Sequence, residues 1–455
     1  MLRPGVFLIC CIVVPFQILW PQTNRQPRQR EIHGGPSRPI YYEALNFPSE
    51  EPGQSRIDIL FRIDLSLFVA VKNPDLLSTD AFIRRGEILV ELIDSTGHSQ
   101  ARDIERIDAV SQSGDTGPGV REWHQGIMSF DVDPGRYTIA VDVEDEESDR
   151  HLLEKRMIVQ AKDFSHGRPL INEPFLISGS SFPGGLSRIL PQNYGAGTKL
   201  GEKGAFVVHL ANFASQDPLR LEFSVTLIGQ DQEKSTPAFA DTLENVDLTR
   251  NIRPSPADTE AVPAYDLNPS THPEAIAIIP FPAEKLPLES YTLTVRVSAA
   301  DFDQTVSRVF ETVWPEMPRS LQDPEHALEA LRYIVTREFL DSLSRGNESE
   351  SKKNVEAFWN SKDTTPETAY NEVMTEYYVR VDFASTTFAT LRQPDGSRTD
   401  RGRIHILYGP PSATRRVLDP SGYIEEWSYG PLGRKFIFLD ESRTGNYVLT
   451  STQPL

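Results

Sequence analysis

Cysteine is almost missing from this sequence. The chain of 455 residues has two, Cys10 and Cys11, and both lie in an apolar stretch near its start. Without that stretch the protein has no thiol, which excludes disulfide bonds, thiol catalysis and thiolate metal sites. Its stability must come from apolar cores, and its length predicts two to four domains rather than one.

Positive charge is also in deficit. Lysine and arginine number 46 against 65 acidic residues, which gives a formal charge of −19. Nucleic-acid binding needs clustered cations that contact phosphates, so we predict no nucleic-acid partner. The nine histidines are scattered, and no spacing between them matches a zinc motif. We therefore predict no metal site, no cofactor and no catalytic residue.

The longest hydrophobic run is Gly5–Trp20, preceded by Arg3 and interrupted by Pro15. It is shorter than the roughly 20 residues of a membrane-spanning helix. We interpret residues 1–20 as a secretory signal peptide. A retained anchor is the alternative, and only then would the protein contact a membrane. Residues 21–39, rich in Pro, Gln and Arg, predict a disordered tether.

Period-two patterns dominate the middle of the chain. Every odd position from Ile57 to Val71 is apolar, which predicts two half-buried strands broken near Asp64. The segment Tyr137–Val143 has the same Y-T-x-x-V-x-V pattern as Tyr291–Val297. Short alternating strands separated by turn residues predict two tandem immunoglobulin-like all-β sandwiches. We place them at 40–162 and 168–315, the second with a long aperiodic surface insertion at 231–274.

Helical signals appear only near the end of the chain. Asp323-Pro324 is a helix start, with Asp as the cap. Thr364-x-x-Glu367 has the pattern of a capping box and predicts a helix with an apolar stripe from Tyr370 to Leu391. The polar stretch 344–354 predicts a linker. Strands are predicted at 403–408, 425–429, 435–440 and 447–450. Together these elements predict an α+β domain at 320–455, with helices packed on a small antiparallel sheet.

One family resemblance rests on several segments in this region. They are F-W-N-S-K-D-T-T-P-E-T-A-Y-N-E (358–372), E-Y-Y-V-R-V-D-F-A (376–384), T-D-R-G-R-I-H-I-L-Y-G-P-P (399–411), E-W-S-Y (426–429) and G-N-Y-V-L (445–449). Residues 323–452 thereby resemble the bacterial GWxTD-domain proteins, although Ser397 replaces the tryptophan of the name-giving motif. The resemblance implies an exported protein with β-sandwich modules before this domain. It implies no catalytic residue.

Two groups of residues are candidates for binding. Asp400, Arg401 and Arg403 could grip an acidic group with two guanidiniums; alternatively, Asp400 caps a turn and pairs with one arginine. The second group could form an aromatic rim around a groove for protein or glycan; alternatively, its aromatic rings belong to the core. It comprises Tyr408, Pro410, Pro411, Trp427 and Tyr429.

Two acidic clusters predict solvated surface. Glu372, Glu376 and Arg380 lie at i, i+4 and i+8, which favours a surface ion pair over a metal or acid–base site. The run D-V-E-D-E-E-S-D at 142–149 lacks the glycine and the spacing of a calcium-binding loop. We interpret it as a solvated hairpin tip.

These features favour a non-catalytic protein of the cell envelope, located in the periplasm, at the cell surface or in the medium. Its sandwiches would present a C-terminal domain that recognises an envelope protein or a surface polymer. One alternative is a hydrolase of carbohydrate or peptide that uses two carboxylates among Glu372, Glu376, Asp400 and Glu426. Another is a purely architectural role, with the C-terminal domain folded back on the sandwiches.

Overall fold

The structure is a computed structural model that describes residues 38–72, 82–111, 121–179, 187–229, 237–257 and 262–455. The predicted signal peptide and all but the last two residues of the predicted tether lie outside these ranges. In the part of the chain that is described, no helix is long and apolar enough to cross a membrane.

Two antiparallel sheets form the first β-module. One sheet has the strand order β1–β2–β6, and the other has the order β3–β4–β7–β8 with β5 paired to β4. The strands are β1 (Ile40–Pro48), β2 (Ser55–Asp64), β3 (Val71–Lys72), β4 (Phe82–Asp94), β5 (Ser99–Ser111), β6 (Trp123–Val132), β7 (Gly135–Asp145) and β8 (His151–Ala161).

The odd apolar positions of β2 fill the space between these two sheets. Ile57, Ile59, Phe61 and Ile63 are fully buried there against side chains of β4 and β7. Each such side chain contributes roughly 1.5–3 kcal/mol on burial. The strand ends at Asp64, whose carboxylate accepts the Ser66 N–H at 2.9 Å and caps a 3₁₀ turn. The predicted break near Asp64 is confirmed.

The second β-module has two larger sheets and one small one. Their orders are β10–β13–β19–β16 with β9 on β13, β12–β21–β20–β14–β15, and β11–β18–β17. The strands are β9 (Leu170–Ile171), β10 (Phe175–Ser178), β11 (Arg188–Ile189), β12 (Thr198–Lys199), β13 (Gly204–Ala211), β14 (Arg220–Leu227), β15 (Phe239–Leu243), β16 (Thr249–Arg250), β17 (Ile252–Pro256), β18 (Tyr265–Pro269), β19 (Ala275–Phe281), β20 (Ser290–Ala299) and β21 (Phe302–Val313).

The predicted surface insertion at 231–274 is wrong for its described residues. They form β15 to β18, which join all three sheets of the second module. Tyr265 is completely buried and packs against Phe47 and Phe175. Strands of two to five residues are too short to show a period, and two of them contain proline, so the sequence pattern gave no signal.

The two similar segments Tyr137–Val143 and Tyr291–Val297 have the same local structure. Each lies in a strand that forms a hairpin with the next strand, β7 with β8 and β20 with β21. The Tyr137 hydroxyl donates to the carbonyl of Asp133 at 2.8 Å, and the Tyr291 hydroxyl donates to that of Pro287 at 3.1 Å. In both modules the tyrosine hydroxyl therefore binds the carbonyl four residues earlier and fixes the entry into the strand.

The two modules pack directly on each other. Leu45, Phe47 and Leu60 on the first module meet Phe175 and Val207 on the second in one apolar cluster. Every residue of β13 is buried, because one face of its sheet meets the first module and the other faces the second module's own core. The two modules thus share a core.

The C-terminal part contains five α-helices and a four-stranded antiparallel sheet of order β22–β23–β24–β25. Aromatic rings on both sides form one core. The elements are α1 (Pro324–Ala330), α2 (Arg337–Leu343), α3 (Glu348–Asn360), α4 (Glu372–Thr387), α5 (Asp400–Tyr408), β22 (Ala413–Asp419), β23 (Gly422–Tyr429), β24 (Arg434–Asp440) and β25 (Val448–Pro454).

Several predictions in this part are confirmed and others are wrong. Asp323 caps α1 with Pro324 in its first turn, as predicted. The predicted linker 344–354 instead contains the start of α3, capped by Asn347. The capping box at Thr364 does not form, because α4 begins at Glu372 and Asn371 caps it. The predicted strand 403–408 is helix α5, and β22 takes its place in the sheet.

Candidate functional site

The segment 399–411 contains the short helix α5, which packs between α4 and the sheet. The Thr399 hydroxyl accepts the Gly402 N–H at 3.0 Å and caps α5. A Cβ atom on Gly402 would lie 2.1 Å from the carbonyl oxygen of Gly396. The helix can approach the preceding turn only because residue 402 has no side chain.

Asp400 and Arg403 lie on the outer part of this helix. One carboxylate oxygen of Asp400 accepts the Leu449 N–H of β25 at 2.9 Å, and the other pairs with Arg403 at 3.1 Å. Asp400 therefore ties the start of α5 to the last strand. The alternative interpretation had Asp400 cap a turn and pair with one arginine. The structure shows the pair with Arg403, but the capping part is wrong, because Thr399 caps α5 and the Asp400 carboxylate instead accepts the Leu449 N–H.

Arg401 points the opposite way, into the core. Its guanidinium lies over the Tyr447 ring at 4.2 Å and the Phe388 ring at 5.1 Å, and it pairs with Glu425 at 3.4 Å. Burial lowers the pKa of Arg401. Because Arg401 faces inward and Arg403 outward, the two guanidiniums do not converge on one ligand position.

The predicted aromatic rim is largely internal. Trp427 and Tyr429 are buried, and the Tyr429 hydroxyl donates to the carbonyl of Gly409 at 2.9 Å. Burial raises the pKa of Tyr429. Tyr408 is partly exposed and stacks on Phe436 with centroids 5.5 Å apart.

The two prolines of that rim follow directly. Pro410 is exposed and Pro411 is partly buried, in the connection between α5 and β22. Only Tyr408 and the prolines of this predicted set thus reach solvent.

His405 is the histidine of the motif segment. It is buried, and its ring stacks on Phe383 with centroids 4.4 Å apart. Burial lowers the pKa of His405 to about 4, so the ring is neutral at physiological pH. His405 is therefore part of the packing between α4 and α5.

An apolar groove of about 980 Å³ opens between α2, α3, α4 and the end of α5. Ile334, Phe339 and Val373 line it while leaving 41–44% of their surface exposed. The groove continues over further apolar side chains and has charged groups in its lining. The remaining lining residues are Val335, Thr336, Phe358, Trp359, Lys362, Thr364, Glu372, Glu376, Tyr377, Arg380, Ile406 and Leu407.

The groove has a rigid floor. Trp359 and Tyr377 are buried and in ring contact at 5.4 Å. The Trp359 indole N–H donates to the Tyr378 hydroxyl at 3.3 Å. The Asn371 side chain donates to the Trp359 carbonyl at 2.7 Å and also caps α4. These bonds fix the floor before any ligand binds.

The carboxylates proposed for a hydrolase are engaged in structural contacts. Glu376 pairs with Arg380 at 2.7 Å, as the i, i+4 spacing predicted. Glu372 accepts the Thr365 hydroxyl, and this hydrogen bond lowers its pKa. A general acid needs a raised pKa instead. Glu426 pairs with Lys435 at 3.4 Å, and Asp400 is bound as described above.

Sequence reasoning missed this groove. The predicted apolar stripe from Tyr370 to Leu391 places Val373 on a helix face that packs on the sheet, but 41% of Val373 is exposed. The chain instead breaks between α1 and α2 and again before α4, and these breaks leave Phe339 and Val373 at an open surface. The signal that could have shown it is Thr336, which caps α2 and ends the preceding helical run.

Among the described residues, one group of three possible metal ligands lies close together: Asp142, Glu144 and His151 of the first β-module. None of the residues predicted for binding belongs to this group.

Comparison with protein families confirms the resemblance. The family model of the GWxTD domain matches residues 293–452. The match begins inside β20, so it includes the last hairpin of the second β-module as well as the C-terminal helices and sheet. Ser397, at the place of the motif tryptophan, is buried, and its carbonyl accepts the Tyr333 hydroxyl at 2.8 Å. A comparison with curated proteins found no match.

Similar solved structures are distant. A transglutaminase of red sea bream is 8% identical with a TM-score of 0.16, over 60% of this chain and 31% of its own. A family 123 glycoside hydrolase of Clostridium perfringens is 14% identical with a TM-score of 0.15, over 37% of this chain and 30% of its own. The collagen adhesin of S. aureus is 7% identical with a TM-score of 0.15, over 61% of this chain and 94% of its own. At these TM-scores the likeness carries no inference.

Proposed function

We propose that this chain, whose residues 293–452 form a GWxTD domain, is an exported, non-catalytic protein of the cell envelope that binds an apolar segment of another protein. The binding site is the groove lined by Ile334, Phe339, Phe358 and Val373. Two β-sandwiches of the immunoglobulin-like class would act as spacers that present this domain. The signal-peptide pattern supports export.

The exposed apolar lining is the observation on which this proposal depends. Exposure of apolar side chains such as Phe339 and Ile334 to water is unfavourable, and a partner that covers them removes this cost. Contiguous apolar surface of this kind marks interaction sites. Grooves between helices that accept apolar side chains at helical or extended spacing are a common mode of peptide recognition. The fixed floor reduces the entropy lost on binding.

The lining chemistry favours a protein segment over a glycan. Ile334, Val335, Val373, Ile406 and Leu407 are aliphatic, and the Trp359 and Tyr377 rings in the floor are buried, whereas sugars require hydrogen-bonding groups with an open aromatic platform. Two of the charged side chains in the lining, Glu376 and Arg380, pair with each other. Such pairs orient a partner more than they hold it.

Site-specific photo-crosslinking tests the proposal. A photoreactive phenylalanine analogue at Phe339 or Val373, in cells that produce the full chain, should yield one protein adduct common to both positions. Leu391 is 99% exposed and is not among the groove residues, so it is the matched control position. The charge-inserting substitution Ile334→Glu should remove the adduct.

The comparison has a clear negative outcome. Equal labelling from Leu391 and Phe339, or labelling that survives Ile334→Glu in a folded chain, would reject the groove as a recognition site. Fractionation of the same cells tests export: intact protein in the cytoplasm, with residues 1–20 retained, would reject the localisation.

A further inference from the structure

Three metal-ligating side chains meet on the outer face of the first β-module. Asp142 and Glu144 are two residues apart on β7, so they project from the same face of the strand. His151, the first residue of β8, is directly opposite Glu144 in the antiparallel register. The neighbouring positions Val141 and Val143 are buried in the core, so the trio faces away from it.

The distances suit a shared cation. Nδ1 of His151 lies 2.9 Å from Oδ1 of Asp142 and 3.9 Å from Oε1 of Glu144. One ligand atom from each residue lies within 4.8 Å of the other two. In a tetrahedral zinc site with bonds of roughly 2.0–2.1 Å, ligand atoms are about 3.3 Å apart. The observed separations lie on both sides of that value.

One oxygen of this group lacks a hydrogen bond. Oδ1 of Asp142 is closed to solvent and has no hydrogen-bond partner within the described residues, although the His151 ring nitrogen is 2.9 Å away. Their contact therefore has the distance of an ion pair without the geometry of a hydrogen bond. The Asp142 side chain is 22% exposed as a whole, and the close neighbour of this oxygen is the His151 nitrogen. A cation shared by the two atoms would be bound by both.

A surface histidine elsewhere in the chain shows the ordinary arrangement. His166 lies 2.9 Å from Asp163, but the Asp163 carboxylate also accepts the N–H and the hydroxyl of Ser165. That pair contains one carboxylate, and the hydrogen bonds from Ser165 in the same turn satisfy its oxygen. The trio on β7 and β8 differs in having a second carboxylate and an unsatisfied oxygen.

The local charge also favours a cation. Glu87 of β4 is directly opposite Glu144 on the other side, and Arg106 neutralises Glu87 at 3.4 Å. Among the side chains that the structure describes, Asp142 and Glu144 remain as two like charges on one face beside a single imidazole. An imidazole nitrogen with two carboxylates is a donor set for zinc and similar transition metals. Calcium takes six to eight oxygens and does not use imidazole.

We propose that Asp142, Glu144 and His151 bind one divalent transition-metal ion, of which zinc fits the donors best, with a fourth position open to solvent. The ion would join the two strands of the β7–β8 hairpin close to its turn. Sequence spacing alone could not show this, because the histidine comes from the opposite strand. The site is independent of the groove and of any partner bound there.

Zinc titration of the full chain against a chromophoric chelator tests the site. The wild type should bind one equivalent of zinc. His151→Ala should weaken binding about 10-fold or more, and Asp142→Asn should weaken it in the same direction, since each removes a ligand. His166→Ala removes an exposed histidine with one carboxylate partner and is the matched control, which should bind as the wild type does.

A second measurement separates binding from misfolding. Zinc should raise the melting temperature of the wild type and of His166→Ala, and should leave that of folded His151→Ala unchanged. The proposal is overturned if the wild type binds no zinc at millimolar concentration. It is equally overturned if His151→Ala and His166→Ala bind zinc with the same affinity.

Discussion

At the residue scale, the side chains of the motif segment 399–411 mainly hold the C-terminal domain together and are not arranged to bind a ligand. Asp400 fixes β25, Thr399 caps α5, and Arg401 fills an aromatic cage with its charge matched by Glu425. The sequence identified these residues as special but could not tell inward from outward. A two-residue offset on a helix nearly reverses the direction of a side chain, so Arg401 and Arg403 face opposite ways. The predicted strand began at residue 403 and left Arg401 in the preceding turn, where its direction could not be predicted.

Replacing Arg401 and replacing Arg403 should therefore have very different effects on stability. Arg401→Ala leaves Glu425 buried with one partner fewer and empties the space between Tyr447 and Phe388, so we expect a loss of about 3–5 kcal/mol in unfolding free energy. Arg403→Ala removes an exposed ion pair, and we expect a change of at most about 1 kcal/mol. Urea denaturation of both variants measures the difference.

The contrast between the two variants is the informative quantity. Arg416 also reaches Glu425, at 3.1 Å, but its side chain is 69% exposed and cannot replace the buried guanidinium. Similar stabilities for the two variants would mean that Arg401 is not held in the core as described.

At the element scale, local signals predicted the start of α1 but missed the starts of α3 and α4 and the type of α5. The Asp323-Pro324 start and the four-residue-spaced pair Glu376–Arg380 followed from local rules. The type of 400–408 did not, because apolar Ile404 and Ile406 alternate as in a strand. Helix α5 forms there because the Thr399 hydroxyl accepts the Gly402 N–H at its start and tertiary packing buries Ile404, His405 and Ile406 together.

Gly402 tests whether packing governs this helix. By helix propensity alone, Gly402→Ala would stabilise α5 by about 1 kcal/mol. Its Cβ would lie 2.1 Å from the Gly396 carbonyl oxygen, which is backbone and cannot move aside cheaply. We therefore expect Gly402→Ala to lower the free energy of unfolding by about 2–3 kcal/mol, measured by urea denaturation of the variant and the wild type.

A second glycine provides the control. A Cβ on Gly430 would meet nothing closer than the Ser412 hydroxyl at 3.7 Å, an ordinary contact. Gly430→Ala should leave stability nearly unchanged. A stabilised Gly402→Ala chain would show that α5 does not lie against the turn at Gly396.

At the scale of the whole molecule, the sequence predicted two β-modules but not their shared core. The odd positions of β2 defined one buried face, whereas Leu60 on the opposite face of β2 packs against the second module together with Leu45 and Phe47 of β1. Alternation cannot reveal what covers an outward face, because the partner strands are more than a hundred residues away in sequence. Because the two modules share this core, we expect them to behave as one rigid unit, which we call the two-module arm. A rigid arm suits the proposed presentation of the C-terminal groove.

The ion pair that bridges the two modules tests their coupling. Glu43 of β1 pairs with Arg308 of β21 at 2.7 Å, and both side chains are less than 10% exposed. Glu43→Gln leaves the guanidinium buried without a counter-charge, so we expect the free energy of unfolding to fall by about 2–4 kcal/mol.

Hydrogen exchange measures whether the two modules open together. Because the modules share a core, the amides of Ser55–Asp64 and Gly204–Ala211 should have the same opening free energy. In Glu43→Gln the opening free energies of both strands should fall by the same amount. Asp303→Asn, which breaks the exposed Arg296–Asp303 pair, should change neither by more than about 1 kcal/mol. A fall confined to one strand would mean that the modules open separately, and the arm would then be jointed rather than rigid.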